Sequence, residues 1–239
     1  MEELRNRQLM EIIQEVYDQH KGIYGYRRMT IYLNHYLGCA VNHKRVYRLM
    51  RILELKAVIR QKRKRYIPHT PKHTAENRLN RKFTAERPFE KLLTDVTEFK
   101  LTNGQKAYLS AILDLGGEKI ISHKLSRSNN NALVNETVRP ILDHVLPGKT
   151  IFHSDRGFQY TSPAFQHLLK KHKVIQSMSR VGKCIDNGPI ENFWGILKTE
   201  MYYLNKYDTF EQLAKDIDRY IHFFNTKRIT LKMGLAIPV

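Results

Sequence analysis

Three acidic residues stand at positions in this sequence where a carboxylate is expected to face a bound ligand. Asp95 lies inside the apolar run 92–97, where burying an unpaired carboxylate would be costly. Asp155 ends a second apolar run, 151–154, and Glu191 falls in the first turn of a helix predicted to begin at a glycine-proline pair. Converging carboxylates can hold the two divalent cations that phosphodiester transfer requires, because Mg²⁺ prefers oxygen ligands. These acids are therefore the candidate catalytic and metal-binding residues.

Other residues compete for the same roles. Asp114 also ends a predicted strand and Asp186 lies close to Glu191, so either acid could replace a ligand if the strand registers differ from those predicted. Glu191 by itself could simply complement the helix dipole. Trp194 follows helical spacing with apolar neighbours, which favours packing in the core over stacking on a base. The role of His153, beside Asp155, stays open.

A zinc site is a further alternative near the amino terminus. His35, Cys39 and His43 have ligand types and spacing that suit zinc. A fourth ligand is missing unless His20 supplies it, which would require a different order of ligands. The incomplete set argues against structural zinc.

The charge of the chain indicates a polyanionic partner. Lys and Arg number 41 against 23 Asp and Glu, a formal net charge of +18. The clustering of these cations favours nucleic acid over a merely solvated surface. The candidate DNA-contacting residues lie on the third predicted helix, in the basic run after it and in the loop before Glu191: Lys44, Arg45, Arg48, Arg51, Lys62, Arg63, Lys64, Arg65 and Lys183.

The sequence argues against a membrane-bound or secreted protein. It contains no run of about 18 apolar residues, and residues 1–8 are too polar for a signal peptide. The two cysteines, Cys39 and Cys184, are far apart, which suits a reducing compartment and gives no disulfide framework. We therefore expect a cytoplasmic protein with no membrane partner.

Apolar spacing predicts a small all-α domain over residues 1–58. Helices are predicted at about 9–17 and 27–36, and a third begins after Asn42, a good N-cap. Short helices joined by glycine turns, with one basic face, are typical of helix-turn-helix DNA-binding domains. Residues 59–87 are basic and contain prolines without apolar periodicity, and are predicted to form a linker.

In residues 88–239, short apolar runs typical of strands alternate with segments whose apolar residues have helical spacing. This order predicts an α/β domain. The first three strands are expected to form an antiparallel meander, with a turn signal at 102–104, and the later strand-helix alternation implies parallel crossovers. The predicted strands lie at about 91–99, 106–113, 119–125, 150–153 and 174–179. The predicted helices lie at about 130–145, 163–172, 189–204 and 209–225.

The spacing of the three acids and five short motifs resemble a known family. Between Asp95 and Asp155 lie 59 residues, and between Asp155 and Glu191 lie 35. The motifs span most of the chain: Tyr24-Gly25-Tyr26-Arg27-Arg28, Val41-Asn42-His43-Lys44-Arg45-Val46, His153-Ser154-Asp155-Arg156-Gly157-Phe158-Gln159-Tyr160, Asp186-Asn187-Gly188-Pro189-Ile190-Glu191 and Phe224-Asn225-Thr226-Lys227-Arg228. Together they resemble the second-frame transposases of the IS-three family of bacterial insertion sequences, among the Asp-Asp-Glu transposases and retroviral-type integrases.

This resemblance implies an RNase H-like integrase core, a mixed sheet flanked by helices, preceded by the helix-turn-helix-like domain. It implies that Asp95, Asp155 and Glu191 bind two Mg²⁺ or Mn²⁺ ions. It also implies that Lys198, two helical turns after Glu191, contacts DNA. The implied activity is metal-dependent cleavage and strand transfer of double-stranded DNA, at transposon ends and at a target, without a covalent enzyme intermediate.

The resemblance also implies partners and leaves two alternatives open. Transposases generally work as multimers on DNA at the bacterial nucleoid, and an upstream-frame protein, fused or associated, usually supplies a further helix-turn-helix. One alternative is a DNA-binding regulator of transposition without turnover, against which the intact acids argue. The other is a different RNase H-like nuclease, against which the basic helical domain and the 35-residue spacing argue.

Overall fold

The structure is a computed structural model that describes residues 2–59, 75–180 and 184–228. Contacts divide the chain into two compact units, one holding the three amino-terminal helices and the other the β-sheet. Residues 60–74, which make up half of the predicted linker, lie outside the described residues. Within the described ranges, no helix combines the length and the apolar character needed to cross a membrane.

The first unit contains α1 (Glu2–Gln19), α2 (Tyr26–His35) and α3 (His43–Ile52). The N-cap predicted at Asn42 is confirmed, since its side chain accepts a hydrogen bond from the Lys44 backbone N–H at 2.8 Å. The apolar faces of the helices meet in a core of fully buried side chains that includes Ile13, Met29, Leu33, Val46 and Leu49. The predicted helical fold of this region is therefore confirmed.

The second unit is built on a five-stranded mixed sheet of β1 (Lys91–Lys100), β2 (Lys106–Asp114), β3 (Lys119–Ser126), β4 (Ile151–Ser154) and β5 (Ile175–Met178). Strands β1, β2 and β3 form the predicted antiparallel meander. Gly104 has a φ of +83° in the turn between β1 and β2, a conformation that glycine adopts without strain. Because β4 pairs in parallel with β1 and β5 with β4, the strand order is β3-β2-β1-β4-β5 and β1 is central.

The described residues of the second unit also form α4 (Asn131–Val138), α5 (Pro163–Lys171), α6 (Gly188–Glu200) and α7 (Phe210–Thr226). The prediction that the first of these continues to residue 145 is wrong. Pro140 has no backbone N–H and its ring disfavours a continued α-helix, so the chain forms a 3₁₀ turn at Arg139–Ile141. The helix predicted to reach residue 204 ends at Glu200, and Tyr202–Leu204 is a separate 3₁₀ turn.

Successive side chains along a strand point to opposite faces of the sheet, and the apolar ones form two buried cores, one on each face. Leu93 and Leu109 join the apolar residues of α6 and α7. Leu92 and Phe152 join those of α4 and α5 on the opposite face. Since residues two apart on a strand share a face, Asp95 lies on the side of the sheet that α6 covers.

Polar contacts hold α6 and α7 in place. The buried Glu200, at the end of α6, accepts two hydrogen bonds from the Arg228 guanidinium and one from the Tyr220 hydroxyl, each at 2.8 Å. The Asn225 side chain bonds both the N–H and the C=O of Ile120 at 2.9 Å, beside the irregularity between β2 and β3. The motif at residues 224–228 therefore fixes α7 against the sheet and against the end of α6.

Candidate active site

The register of β1 and β4 brings Asp95 and Asp155 together. Leu93 pairs with His153 in the parallel ladder, and each acid lies two residues further along its strand direction. Neighbouring strands lie about 4.8 Å apart, and residues two apart share a face. Asp155 therefore follows the end of β4 beside Asp95, on the side of the sheet covered by α6.

Glu191 joins the two aspartates from the first turn of α6. Asn187, the N-cap residue of this helix, donates from Nδ2 to the carbonyl oxygen of Thr94 at 3.0 Å. The Trp194 indole N–H donates to the carboxylate of Asp95, also at 3.0 Å. These bonds fix α6 against β1 on both sides of Glu191 along the helix.

Burial raises the pKa of all three acids, and neighbouring carboxylates add to the rise for Asp95 and Glu191. Burial and, next, the charge of Asp155 raise the pKa of Asp95 to about 7, and the charge of Glu191 adds to the rise. Burial raises the pKa of Asp155, and burial together with the charge of Asp155 raises the pKa of Glu191. Asp155 and Glu191 are exposed residues, but the protein around their carboxyl groups still replaces part of the hydration. A cation at this position would relieve the mutual repulsion.

The donor set is compatible with a divalent cation, although the side chains do not form a closed cage. In the part of the chain that the structure describes, no three His, Cys, Asp or Glu side chains are already grouped to hold a metal ion. Like charges repel when no cation separates them, so an open arrangement is expected. The three acids offer only oxygen donors, which suit Mg²⁺ or Mn²⁺.

A tight turn orients Asp155. The Gly157 N–H donates to Asp155 Oδ1 at 2.8 Å, and Arg156 Nε donates to the Ser179 carbonyl oxygen at 2.6 Å. A Cβ on Gly157 would lie 3.0 Å from that same Asp155 oxygen and 2.9 Å from the side-chain oxygen of Gln159. Glycine at this position permits the close approach that fixes the carboxylate.

His153 is a buried structural residue. The Ser177 hydroxyl accepts hydrogen bonds from two backbone N–H groups of the segment before β1, at 2.9 and 3.2 Å, so its own proton is donated to His153 Nδ1, 2.9 Å away. Nε2 then carries the ring proton and donates to Ser179 Oγ at 3.2 Å. Burial lowers the pKa of His153 to about 4, so the ring is neutral near pH 7. It links β4 to β5 next to Asp155.

Asp186, considered above as a substitute ligand, is surrounded by donors. Its fully buried carboxylate accepts from Arg81 Nε at 2.6 Å, from Arg180 Nε and Nη2 at 2.9 Å and from Asn77 Nδ2 at 2.8 Å. The hydrogen bonds from Arg180, above all, hold the pKa of Asp186 well below its usual range. With its acceptor positions taken, this carboxylate ties the segment before β1 to the 3₁₀ turn Cys184–Asn187 that leads into α6.

Asp114, the other substitute considered, closes a turn. It is buried at the end of β2 and accepts hydrogen bonds from the backbone N–H groups of Phe89 at 3.1 Å and Gly116 at 3.0 Å. These bonds hold the segment before β1 against the turn after β2. Its carboxylate therefore already has a structural role.

The basic residues predicted to contact DNA on α3 differ in their surroundings. Lys44, Arg48 and Arg51 are exposed. Arg45 is half-buried, and its guanidinium donates to the Asn6 side chain on α1 at 2.8 and 3.0 Å. Arg45 therefore holds α1 and α3 together, whereas the other three side chains are available to a ligand.

The remaining basic candidates belong to the linker and to the second unit. Lys198 is half-buried on α6, with its ammonium 5.2 Å from the centre of the Phe99 ring on β1. Five candidates lie outside the described residues: Lys62, Arg63, Lys64, Arg65 and Lys183.

The residues that hold the acids were not identified from the sequence. Trp194 is packed in the core as predicted, and its contact with Asp95 was not foreseen. The four- and three-residue steps from Asn187 to Glu191 to Trp194 could have suggested a shared helix face. Arg81 lies 105 residues from its partner Asp186, and no local pattern points to that pair.

Comparisons with known proteins extend over both units. Residues 3–63 match the family described as an HTH-like domain, and residues 85–184 and 191–237 match two families described as an integrase core domain. A transposase assigned to insertion sequence element IS150 of Escherichia coli K12, InsK, is 42% identical over 228 residues, covering 95% of this chain and 80% of the relative. The transposase of insertion sequence element IS904 from Lactococcus lactis subsp. lactis IL1403 is 33% identical over 234 residues, covering 96% of this chain and 91% of the relative.

A solved structure shares the fold. The chain is similar to one in the simian T-cell lymphotropic virus intasome in complex with the PP2A regulatory subunit B56 gamma, with a TM-score of 0.53 and 14% identity. The likeness covers 91% of this chain and 70% of that one. At this identity it concerns the fold alone, and it confirms the predicted mixed sheet flanked by helices.

Proposed function

Because this chain belongs to the IS-three family of insertion-sequence transposases and acts in DNA transposition, we propose that Asp95, Asp155 and Glu191 are its catalytic acids. The supporting observation is that β1, the end of β4 and the first turn of α6 meet and place the three acids side by side. Burial first, and then the charges of the neighbouring acids, raise the pKa of Asp95 and of Glu191 there. An integrase core makes the chain an enzyme of the polynucleotidyl transferase type, so these acids act on phosphodiester bonds.

The three acids together hold two divalent cations, Mg²⁺ or Mn²⁺. When bound, such ions activate the attacking hydroxyl and neutralise charge that develops on the phosphate. The carboxylates act only as ligands, and no side chain forms a covalent bond with DNA. In cleavage, a water oxygen bonds to phosphorus and the DNA 3′-oxygen leaves as a hydroxyl. In strand transfer, that hydroxyl attacks a target phosphodiester, whose own 3′-oxygen leaves.

Lys198 is proposed to contact DNA beside the acids. It lies seven residues after Glu191, which is about 10 Å along the helix axis and close to the same face. Its ammonium lies on the β1 side of α6, over Phe99. A positive charge there would attract the phosphate backbone next to the reacting bond.

The helical unit is proposed to bind DNA through the exposed residues of α3, Lys44, Arg48 and Arg51. Lys62, Arg63, Lys64, Arg65 and Lys183 stay candidates for DNA contact, whereas the bond of Arg45 to Asn6 gives that residue a structural role. The proposed division of the chain is a DNA-binding domain at 1–58, a linker at 59–87 and the catalytic core at 88–239.

A multimer on transposon ends, and an upstream-frame protein fused or associated, complete the proposed assembly. None of the comparisons favours an inactive regulator or a different nuclease.

The test is strand transfer by the purified chain, with Mg²⁺ and DNA that carries the terminal repeats flanking its own gene. Asp155→Asn should abolish product, because an amide cannot replace the charge of a ligand carboxylate. Glu98→Gln is the matched control, since Glu98 is an exposed acid on β1 paired with Lys106 at 3.0 Å, and it should leave the rate unchanged. Full activity of the Asp155→Asn protein would overturn the proposal.

A further inference from the structure

The N-cap residue of α6 and one face of the helix place a row of four side chains beside β1. Asn187, Glu191, Trp194 and Lys198 are separated by steps of four, three and four residues, which places them on the same side of an α-helix. Three of them contact β1 directly, and Glu191 lies within the row. The contacts of this row therefore decide where Glu191 stands relative to Asp95.

The contacts of the row occur in the same order along α6 and along β1. Asn187 bonds the carbonyl of Thr94, and Lys198 lies over the ring of Phe99. The helix rises about 16 Å over the eleven residues from Asn187 to Lys198. The strand rises about 16 Å over the five residues from Thr94 to Phe99. The contacts at the two ends of the row thus advance in the same direction along both elements, over a similar distance.

Trp194 makes the contact that reaches a proposed catalytic acid. Its indole N–H lies 3.0 Å from Asp95 Oδ2. Long helical side chains point back toward the amino terminus of their helix, which lets Trp194 reach past Glu191 to the level of Asp95. A carboxylate has about four acceptor positions, and Asp95 also accepts from the Val96 backbone N–H, so positions remain for a cation.

The N–H group and the ring of Trp194 have separable roles. The ring is buried, with 6% of its surface exposed, and lies 5.0 Å from the ring of Phe193. A phenylalanine would keep most of that packing. A buried indole N–H needs an acceptor, and here the acceptor is a carboxylate.

We propose that Trp194 is a positioning residue for the reaction: its indole N–H holds the Asp95 carboxylate in the orientation that lets Asp95 and Glu191 bind the same cation. This inference rests on the proposed function, in which both acids are metal ligands. Hydrogen bonds to metal-ligating groups commonly fix ligand orientation, and their loss weakens metal binding by about tenfold or more.

The chain provides its own probe of this contact, because Trp194 is the only tryptophan among its 239 residues. Mn²⁺ titrated into the unmodified protein should change the indole emission and saturate at the affinity measured by calorimetry. The Asp95→Asn protein should show no saturating change. An unchanged emission in a protein that calorimetry shows to bind Mn²⁺ would overturn the positioning role, and this result needs no variant.

The direct test compares two substitutions of neighbouring rings. Trp194→Phe removes the N–H and keeps an aromatic ring, and should weaken Mg²⁺ binding in calorimetry by about tenfold. Phe193→Leu disturbs the same packing without touching Asp95, and should lower the melting temperature while leaving Mg²⁺ affinity as in the unmodified chain.

The outcomes separate this inference from the proposed function. If Trp194→Phe binds Mg²⁺ as tightly as the unmodified chain while Asp95→Asn does not bind, the positioning role is wrong and the metal site stands. If Asp95→Asn itself binds Mg²⁺ with unchanged affinity, the proposed function fails. Equal weakening by Trp194→Phe and Phe193→Leu would assign the effect to packing and also overturn the positioning role.

Discussion

Asp186 and Asp95 lie on elements that meet at the start of α6, and their carboxylates have opposite surroundings. Asp186 is fully buried and accepts hydrogen bonds from two guanidinium groups, an amide and a backbone N–H. Asp95 is half-buried, accepts from the neutral N–H groups of Trp194 and Val96, and lies beside the charge of Asp155. The pKa of Asp186 is therefore lowered, whereas that of Asp95 is raised to about 7.

This difference separates an acid that holds the fold from an acid that is available to a ligand. A carboxylate bonded by cationic donors stabilises the folded chain by itself. A carboxylate desolvated beside other carboxylates lowers stability until a cation binds. The cations of α3 show the same contrast, since Arg45 is bonded to Asn6 and Arg48 is exposed.

Strand-transfer activity should respond most strongly to replacement of the proposed catalytic acids. Asp95→Asn should lower the rate of strand transfer by about a thousandfold or more, since cation-held charge stabilisation is worth several kcal/mol. Asp186→Asn should reduce the rate only as far as it reduces the folded fraction. Rates measured at a temperature where both variants are folded test this. Similar losses of strand-transfer rate in the two variants would show that Asp95 and Asp186 do not differ in their roles.

The second effect is the pH dependence of stability without metal. The pKa of Asp95 rises from 3.8 to about 7 on folding, so between these values the folded chain keeps a proton that the unfolded chain loses. Stability should therefore fall as pH rises through this window, by about 2–4 kcal/mol from Asp95. Urea unfolding of the unmodified and Asp95→Asn proteins isolates this fall, because His153, with its pKa lowered to about 4, is common to both. Parallel pH profiles of the two proteins would show that Asp95 does not keep its proton in the folded chain.

The third effect is the change in stability caused by Asp186→Asn, which is opposite in sign to the change caused by Asp95→Asn. Asp186→Asn should lower the free energy of unfolding at pH 8 by about 2–3 kcal/mol. This is less than the cost of breaking a fully buried ion pair, because both arginines are partly exposed and can be rehydrated. The stability from Asp186 should disappear on acidification below its usual pKa, since its folded pKa is lowered. At the same pH, Asp95→Asn should raise stability. Urea unfolding that ranks the two variants in the reverse order would refute the comparison.

Substitutions of the α3 arginines should have weaker effects than those of the acids. Arg48→Ala should weaken DNA binding by about 1 kcal/mol and reduce the slope of log affinity against log salt by about 0.9, because one phosphate contact is lost. Arg45→Ala should mainly lower the melting temperature of the chain, because it breaks the bond to Asn6. Fluorescence anisotropy across salt concentrations distinguishes them, and identical salt slopes for the unmodified and Arg48→Ala proteins would exclude Arg48 from the interface.

Most of the fold could be predicted because its signals are local. The alternation of apolar and polar residues predicted strands, and apolar residues at helical spacing predicted helices. The order of these elements predicted the meander and the parallel crossovers. The predicted first helix of the core was too long because the apolar spacing continues past Pro140. The backbone cannot continue as an α-helix at that proline.

The candidate site could be predicted only in part. The positions of Asp95, Asp155 and Glu191 on strands and a helix start followed from pattern, but their convergence was expected from the family resemblance. The role of Asp186 depends on arginines from another part of the chain, one of them 105 residues away. The bond from Trp194 to Asp95 depends on how α6 lies along β1, which no single segment encodes.

Three acids that are distant in sequence are proposed to share divalent cations. The most direct measurement is the anomalous scattering of Mn²⁺ in crystals of the chain soaked with that ion. We expect density enclosed by the carboxylates of Asp95, Asp155 and Glu191, and its loss in Asp155→Asn crystals. Mn²⁺ bound elsewhere in the molecule, with these three carboxylates uncoordinated, would contradict the proposal.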